Sequence, residues 1–308
     1  MDTDQEGFWY PVLNRSICLQ CEKCADICPI YKKKKQDSEI EKAELVKVYA
    51  AWSLNPEIRY QSTSGGIFSE LAISILDRGG VICGAVYDEG HMVRHLITDT
   101  KQNIGKFRQS KYVQSDMGDI YQEFGNYLRR DKELLFCGTP CQCEGVYRYC
   151  RIENIDIQKL YLIDFICRGS NSPKVYQKFL EELEERYQAK ITKVWFKNKT
   201  YGWNRFSTRI DFNNGACYLQ DRYHDAYIRG YIEENLYIRP FCASCGFKGL
   251  HRTSDITLAD FWGVKLQTYM QESDGGTSMV MVHTKKGKNC GILYQNVYFG
   301  QKRRWKKS

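Results

Sequence analysis

Four cysteines near the N-terminus have the spacing of an iron-sulfur site. Cys18, Cys21, Cys24 and Cys28 follow the pattern C-x2-C-x2-C-x3-C, and Pro29 closes the run. Three thiolates at this spacing can fold around one corner of an iron-sulfur cube, while the fourth, placed before a chain-turning proline, points toward a second cube. We call these four residues the outer run, and their spacing predicts a 4Fe-4S site.

Zinc and disulfides are the alternatives for the outer run. Structural zinc sites use two separated ligand pairs rather than one tight run. Cysteines this close in sequence rarely meet disulfide geometry, and the N-terminus lacks the apolar region of a signal peptide. The pattern therefore favours a cluster over both alternatives.

A second C-x2-C pair, Cys242 and Cys245, lies far along the chain. The pair needs two further thiolates to complete a four-ligand site. Cys141 and Cys167 are the best candidates, because each follows a predicted strand and strand ends can converge at one edge of a sheet. Periodicity alone leaves open that either is a buried structural thiol.

The remaining cysteines lie in predicted strands, helices or the tail, without ligand spacing. Cys137 and Cys143 flank Cys141 so closely that either is an alternative ligand. We otherwise interpret this group as structural thiols: Cys83, Cys137, Cys143, Cys150, Cys217 and Cys290.

Two small-residue turns are candidate cofactor sites. Ser62–Gly66 separates a predicted strand from a helix that begins at Ile67, and such a turn can cradle a phosphate at the first helical amides. Most Gly-Gly turns are only turns, so this signal is weak alone. Gly138 and Thr139 follow another predicted strand, at the usual ligand position of an open α/β sheet.

The secondary-structure elements that position these residues are predicted to form a mixed α/β body, which becomes β-rich toward its C-terminal end. The predicted strands are Val46–Ser53, Val81–Tyr87, Met92–Thr98, Glu133–Phe136, Tyr161–Ile166, Ile191–Lys197, Arg205–Phe212, Ala216–Gln220 and Ser278–His283. The predicted helices are a short one near Ile40–Ala43, one from Ile67, Asp116–Arg129, one from Pro173 to about Ala189, and a short one from Lys285.

Composition indicates a soluble, cytoplasmic protein. The 308 residues are 43% hydrophobic and 27% charged, and no apolar run is long enough for a membrane span. Fourteen cysteines in that compartment favour clusters and free thiols over disulfides. The basic residues are concentrated in Lys32–Lys35 and Lys302–Lys307, and these runs, with Trp305 as their single aromatic residue, lack the repeated interleaved aromatics of a nucleic-acid groove. We interpret these runs as a solvated linker and tail that help dock an acidic electron carrier.

Several short sequence motifs, taken together, resemble those of one protein family. They are, in order, Ser64-Gly65-Gly66-Ile67, Ser110-Lys111-Tyr112, Gly138-Thr139-Pro140-Cys141-Gln142, Cys242-Ala243-Ser244-Cys245 and Asp255-Ile256. Between about Ala50 and His283 the chain is similar to the beta subunit family of coenzyme F-420 hydrogenases and dehydrogenases. The resemblance implies an α/β flavoprotein that holds FAD and a 4Fe-4S cluster and passes electrons between iron-sulfur centres and a substrate or deazaflavin. The family also includes ferredoxin-dependent reductases, and bacterial relatives often lie among genes for surface polysaccharides.

The resemblance assigns roles to particular residues. Those implied to line the flavin pocket are Ser64, Gly65, Gly66, Ser110, Lys111, Tyr112, Gly138 and Thr139. Those implied to hold an inner cluster are Cys141, Cys167, Cys242 and Cys245, which we call the inner set. The alternative interpretation of Lys111 is that it is an ordinary lysine on the protein surface. Asp260 matches an acidic position in the family, and we assign it no catalytic role.

The resemblance also shapes the expected domains. We expect a ferredoxin-like arm over residues 1–36, a flavin and iron-sulfur body over residues 44–296, and a basic tail over residues 297–308. Relatives with a ferredoxin module usually carry two cysteine runs, whereas only the second is present here, which suggests a shortened chain or one module of a longer protein. Cys28 would then lack its usual cluster, unless it swings back to close the first cube or another ligand replaces it.

The sequence therefore predicts an oxidoreductase with one or two 4Fe-4S clusters and FAD. Electrons would enter from a ferredoxin or similar carrier and leave to a small-molecule acceptor, with a role in surface polysaccharide biosynthesis as one context. Two other functions stay open: a non-catalytic electron-transfer subunit of a larger complex, and a zinc-stabilised interaction protein.

Overall fold

The computed structural model describes residues 1–31, 42–264, 274–290 and 297–304. The strands in these ranges are β1 (Asp2–Thr3), β2 (Trp9–Tyr10), β3 (Lys42–Ser53), β4 (Val81–Tyr87), β5 (Val93–Thr98), β6 (Leu134–Gly138), β7 (Leu160–Phe165), β8 (Ile191–Asn198), β9 (Ser207–Phe212), β10 (Cys217–Asp221), β11 (Ile256–Asp260), β12 (Ser278–Thr284) and β13 (Val297–Arg304). The α-helices are α1 (Lys23–Ile27), α2 (Pro56–Gln61), α3 (Ile67–Asp77), α4 (Ile104–Phe107), α5 (Ile120–Arg129), α6 (Pro140–Ile152), α7 (Pro173–Tyr187), α8 (Ala226–Ile232) and α9 (Lys285–Lys288). Short 3-10 helices span Lys101–Asn103 and Pro240–Ser244.

An eight-stranded sheet in the order β13-β3-β12-β11-β7-β6-β4-β5 forms the centre of the body. Its four middle strands, β11, β7, β6 and β4, are parallel, and the flanking strands are antiparallel. This mixed α/β architecture confirms the fold class expected from the sequence. The parallel strands bring Gly138, Phe165 and Asp260 to one edge of the sheet, where open α/β folds bind ligands.

Helices cover both faces of this sheet because each carries an apolar stripe. On α3, Ile67, Leu71 and Ile75 are buried at intervals of four residues. On α5, Phe124 and its neighbours along the same stripe pack with α6 in a separate core on the other face. Phe124 is fully buried, so truncating it to alanine would cost about 3–5 kcal/mol.

A second, three-stranded sheet of order β10-β9-β8 forms the β-rich part. It shares a core with α7 and α8, which includes Tyr176, Phe196 and Tyr227. An antiparallel bridge between Ser110 and Phe196 connects this sheet to the segment between α4 and α5. The bridge therefore places β8 directly beside one of the predicted flavin segments.

Three differences from the expected elements concern the large sheet. Strand β11 was not predicted, although it joins β7 to β12 in the centre of the sheet. Residues 42–43, expected in a short helix, begin β3, while residues 40–41 and Lys32–Lys35 lie outside the described residues. Val297–Arg304 pairs with β3 as an edge strand, so the expected tail of residues 297–308 begins within the sheet. Its first three residues, Val, Tyr and Phe, favour a strand.

In the described parts of the chain, none of the helices combines the length and apolar character needed to cross a bilayer.

The described part of the arm is fixed to the body by its aromatic phrase. Phe8 is only 2% exposed, and the Ser172 hydroxyl donates to the carbonyl of Glu6 at 2.6 Å. The Gln114 amide both accepts from Trp9 N and donates to Trp9 O, each at 3.0 Å. Gly7 has a φ of +84°, and an added Cβ would lie 2.2 Å from Lys174 Cβ. Glycine is therefore required at this contact.

Candidate functional site

The inner set is assembled from three separate elements. Cys141 is the second residue of α6, and Cys167 follows β7 by two residues. Cys242 and Cys245 lie within and directly after the 3-10 helix Pro240–Ser244. All four thiols are half-buried. They come from segments that meet at the carboxyl edge of the large sheet.

These thiols lie near enough to one another to affect each other's pKa. Burial raises the pKa of Cys141, and the Cys245 and Cys242 thiols raise it further, against a hydrogen bond with Thr139 that lowers it. Burial also raises the pKa of Cys167 to about 12, with smaller contributions from Cys141, Cys242 and Cys245. Buried thiols with high pKa values are thiolates chiefly when a metal replaces their protons.

Backbone and hydroxyl groups already point at the inner sulfurs. The Phe247 amide donates to Cys245 Sγ at 3.4 Å, and the Thr139 hydroxyl lies 3.1 Å from Cys141 Sγ. Such hydrogen bonds tune the potential of iron-sulfur clusters. A set of four thiols with sulfur-directed donors fits a four-thiolate cluster. Among the described residues, no group of three or more His, Cys, Asp or Glu side chains forms a site for a single metal ion.

The alternative ligands Cys137 and Cys143 have other surroundings. Cys143 is fully buried and its thiol donates to the carbonyl of Ile163 at 3.4 Å. Cys137 packs against the core on the α3 side of the sheet, and burial raises its pKa to about 12 while Lys111 lowers it. Both thiols have partners within the core, which favours Cys141 as the ligand.

The outer run lies on the arm in a much more open position. Cys21 and Cys24 are exposed, while Cys18 and Cys28 are half-buried. The loop before α1 turns tightly because Gln20 and Glu22, both flanking Cys21, have φ values of +54° and +57°. Non-glycine residues in this conformation are strained and concentrate at functional sites.

The arm also contacts α6, the helix that carries Cys141. The Arg148 guanidinium donates to the carbonyl of Cys28 at 3.1 Å. Lys23 forms an ion pair with Glu153 at 2.9 Å. These contacts bring the end of the outer run against the helix that begins at the inner set.

Tyr121 lies between the two groups of thiols. Burial raises its pKa above its usual range, and Cys141, Cys143 and Cys28 raise it further. An added Cβ on Gly145 would lie 2.9 Å from the Tyr121 hydroxyl and 4.0 Å from Pro29 Cδ. Glycine therefore permits the close approach of the arm, Tyr121 and α6. Sequence analysis did not identify Tyr121, and no motif marks it.

The Gly65-Gly66 turn is held tightly against the sheet. A Cβ on Gly65 would lie 2.4 Å from the Ala51 carbonyl, and the Gly65 amide donates to Ser278 Oγ at 2.9 Å. Gly66, with a φ of +86°, starts α3. Ser64 Oγ donates to the Thr277 carbonyl at 2.8 Å. Packing alone thus requires glycine at Gly65, whatever ligand approaches the turn.

The Ser110-Lys111-Tyr112 segment lies beside this turn. The Ser110 and Thr63 hydroxyls are 3.0 Å apart, so the two predicted flavin segments meet. The Lys111 ammonium turns inward and donates to the Arg108 carbonyl at 2.9 Å, and burial lowers its pKa to about 7. This position does not match a surface lysine. The Tyr112 carbonyl accepts from the Tyr227 hydroxyl at 2.6 Å.

Gly138 and Thr139 form the start of α6. Gly138 ends β6, and a Cβ there would lie 2.8 Å from the Phe136 ring. Thr139 is the N-cap and forms a capping box with Gln142. These residues fix the direction in which α6 presents Cys141. Their proximity to a flavin stays a prediction.

The Asp255-Ile256 phrase has a structural explanation. The Asp255 carboxylate accepts from the Leu162 amide at 2.9 Å and from the Thr284 hydroxyl at 2.6 Å. It thereby connects β7 to the end of β12 at the start of β11. This arrangement holds the segment that leads from Cys245 into the sheet.

A charged pair in this region joins Asp260, which the resemblance marks, to Lys197, which it does not. The Lys197 ammonium contacts the Asp260 carboxylate at the carboxyl end of β11, below the stacked rings of Trp203 and Trp262. The phrase Asp260-Phe261-Trp262-Gly263 was a signal for this site. Lys197 had none, because Lys193 and Lys199 nearby make it one of several similar lysines.

Comparisons with known proteins bear on the family and the fold. Residues 48–121 match the family model described as coenzyme F420 hydrogenase/dehydrogenase, beta subunit N-term, and residues 131–292 match the corresponding C terminus. The fold is similar to a chain from the xenon-derivatized F420-reducing [NiFe] hydrogenase complex of Methanosarcina barkeri. That match has a TM-score of 0.57 and 17% identity, and covers 86% of this chain and 84% of that one. No curated protein matches the chain in sequence.

Proposed function

Because this chain belongs to the coenzyme F420 hydrogenase/dehydrogenase beta subunit family, a family of oxidoreductases, we propose that it is an iron-sulfur flavoprotein. In this proposal, electrons arrive from a ferredoxin or similar carrier at the outer run, continue to the inner set, and reach a small-molecule acceptor through FAD. The observation that supports the proposal is the convergence, at the carboxyl edge of the sheet, of the segments that carry Cys141, Cys167, Cys242 and Cys245.

Each cofactor has residues that would hold it. The inner set would ligate one 4Fe-4S cluster, and Cys18, Cys21 and Cys24 would ligate the outer one, with Cys28 as the candidate fourth ligand. The hydroxyls of Ser64 and Ser110 and the turn at Gly65 would border the flavin. When bound, the clusters supply one-electron transfer and the flavin converts it to two-electron chemistry.

The chain itself supplies spacing and insulation. Arg148 and Glu153 hold the arm against α6, so the outer run stays at a fixed position relative to Cys141. Tyr121 is close to both groups of thiols, since Cys141 and Cys28 both affect its pKa. The half-buried positions of the inner set shield it partly from solvent, and exposure is one of the factors that set cluster potentials. The high cysteine content supports a reducing compartment such as the cytoplasm.

Anaerobic reconstitution followed by iron, sulfide and flavin quantitation tests the proposal. We expect iron and acid-labile sulfide in equal amounts, together with bound flavin. A chain that takes up neither iron-sulfur clusters nor flavin would overturn the proposal. Redox-active clusters without flavin would instead identify an electron-transfer subunit, and zinc without sulfide would identify a metal-stabilised interaction protein.

A further inference from the structure

An unusual backbone places a lysine beside the predicted flavin segment. The register of β8 with β9 shifts between Trp195 and Asn198, and Lys197 within this irregularity has a φ of +57°. A bulge with a left-handed residue redirects the side chain from the face that strand alternation would give it. Lys197 is thereby directed toward Asp260, and their side chains are only 12% and 11% exposed.

Lys197 also contacts the phenol of Tyr112. Burial lowers the pKa of Lys197, but Tyr112 and Asp260 together raise it above its usual value, so the ammonium is charged at neutral pH. The adjacent residue Phe196 bridges Ser110 through the backbone. The ammonium therefore lies next to the Ser110–Tyr112 segment.

A flat aromatic surface borders the same charge. Trp262 stacks on Trp203 with ring centroids 4.1 Å apart, and Trp203 Nε1 donates to Asp260 Oδ1 at 3.4 Å. The Lys197 ammonium lies 5.6 Å from the centre of the Trp262 ring. Trp262 is 42% exposed, so its surface is accessible to a ligand. An aromatic surface beside a fixed cation suits a planar heterocycle that becomes negatively charged.

We propose that Lys197 and Asp260 are the charged pair that sets the reduction potential of the flavin. This inference rests on the proposed function. Taking up two electrons and one proton gives the flavin ring one additional negative charge. The Lys197 ammonium stabilises that charge, and the Asp260 carboxylate opposes it, because both act in a partly dehydrated site. Lys197 and Asp260 are positioning residues whose charges should act in opposite directions.

Redox titration of the reconstituted, flavin-loaded protein tests this pair. We expect Lys197→Met to weaken binding of reduced relative to oxidised flavin about tenfold, which lowers the two-electron potential by about 30 mV. Asp260→Asn should raise the potential. Lys197→Arg keeps the charge and should stay near wild type. Lys193→Met is the matched control, because Lys193 lies on the same strand, over Trp195 at 4.6 Å, but is exposed.

The outcomes separate this inference from the proposed function. A wild-type chain that binds no flavin would overturn the proposed function and the inference with it. A flavin-loaded wild type whose potential is unchanged by Lys197→Met and Asp260→Asn, or moves in one direction with both, would overturn the inference alone. If Lys197→Met does not fold, the other two variants test the inference. The inference then requires that Asp260→Asn raise the flavin potential and that Lys197→Arg leave it near the wild-type value.

Discussion

The outer run and the inner set hold equal numbers of thiols in opposite surroundings. The outer run is contiguous in sequence, and two of its four cysteines are exposed. The inner set comes from three distant segments, and burial raises the pKa of Cys141 and Cys167. The outer run is therefore recognisable from its spacing, whereas the residues of the inner set come together only once the body has folded.

This difference suggests different consequences of losing each cluster. The arm contacts the body through a few hydrogen bonds, an ion pair and the buried Phe8. The inner set lies where β6, β7 and the segment before β11 meet. A cluster there would contribute to the stability of the body, because the ligands converge only in the folded state.

The largest expected effect comes from Cys242→Ser. Removing this thiol should release the inner cluster, with loss of about half of the bound iron when both clusters are present. The free energy of unfolding of the body should fall by about 4 kcal/mol, the contribution of a ligand at a thousand times its dissociation constant. Iron quantitation and chemical unfolding measure both. Cys217→Ser is the control, since Cys217 is exposed on β10. Full iron content in Cys242→Ser would contradict the inner set.

Acid should weaken the body through His95. This residue is 4% exposed and stacks on Phe136 with ring centroids 5.6 Å apart. Burial lowers its pKa to about 4, below the usual 6.5, so the folded state keeps it neutral while the unfolded state takes up a proton. The stabilisation that neutral His95 gives the folded state is therefore fully present above about pH 6.5. It is lost as the pH falls toward 4, and the free energy of unfolding decreases by up to about 3 kcal/mol.

Comparison with His95→Phe isolates this contribution. The variant keeps a flat ring but cannot take up a proton. Relative to wild type, its free energy of unfolding should therefore increase as pH falls from about 6.5 to 4. Urea unfolding at several pH values gives the two curves. Curves that stay parallel across this range would show that His95 does not carry the acid sensitivity.

The same comparison explains what the sequence could predict. Local patterns sufficed for β4 with its bounds Val81–Tyr87 and for the start of α3 at Ile67, and they made the outer run a candidate cluster site. They failed for β11, because its five residues include an alanine and an aspartate, which are depleted in strands, and it is a strand through parallel pairing with β7. Such non-local pairing leaves little local signal.

The candidate site shows the same limit on what local sequence patterns can predict. The C-x2-C spacing marked Cys242 and Cys245, whereas Cys141 was one of several candidate thiols at strand ends until the resemblance favoured it, because no spacing relates residues so far apart. Lys197 was missed, since its inward direction depends on a register shift and a left-handed φ that no residue type announces. Tyr121 was missed for a similar reason: its position depends on the packing of the arm on α6.

Gly7→Ala should loosen the arm without unfolding the body. The new Cβ would lie 2.2 Å from Lys174 Cβ and would require a φ of +84° from alanine, so docking should weaken by about 1–3 kcal/mol. Faster proteolytic release of the arm, with an unchanged unfolding transition of the body, is the expected result. Gly215→Ala is a matched control: its φ is +85° but no atom lies within 4 Å of the added Cβ. Equal arm release from both variants would exclude the Lys174 contact as the cause.

The smallest effect on the body, and the sharpest test of the outer run, comes from comparing Cys21→Ser with Cys28→Ser. Cys21 is exposed between two left-handed residues, whereas Cys28 caps α1 with its carbonyl bound by Arg148. We expect Cys21→Ser to remove the outer cluster and Cys28→Ser to leave most of it, if Cys28 is directed to a second cube. In both variants the free energy of unfolding of the body should change by less than about 1 kcal/mol, because the arm is a peripheral element. Iron and sulfide content, with the spectrum of the remaining cluster, distinguishes the two variants. Equal loss from both would show that all four cysteines close one cube, and the outer run would then be a complete site in itself.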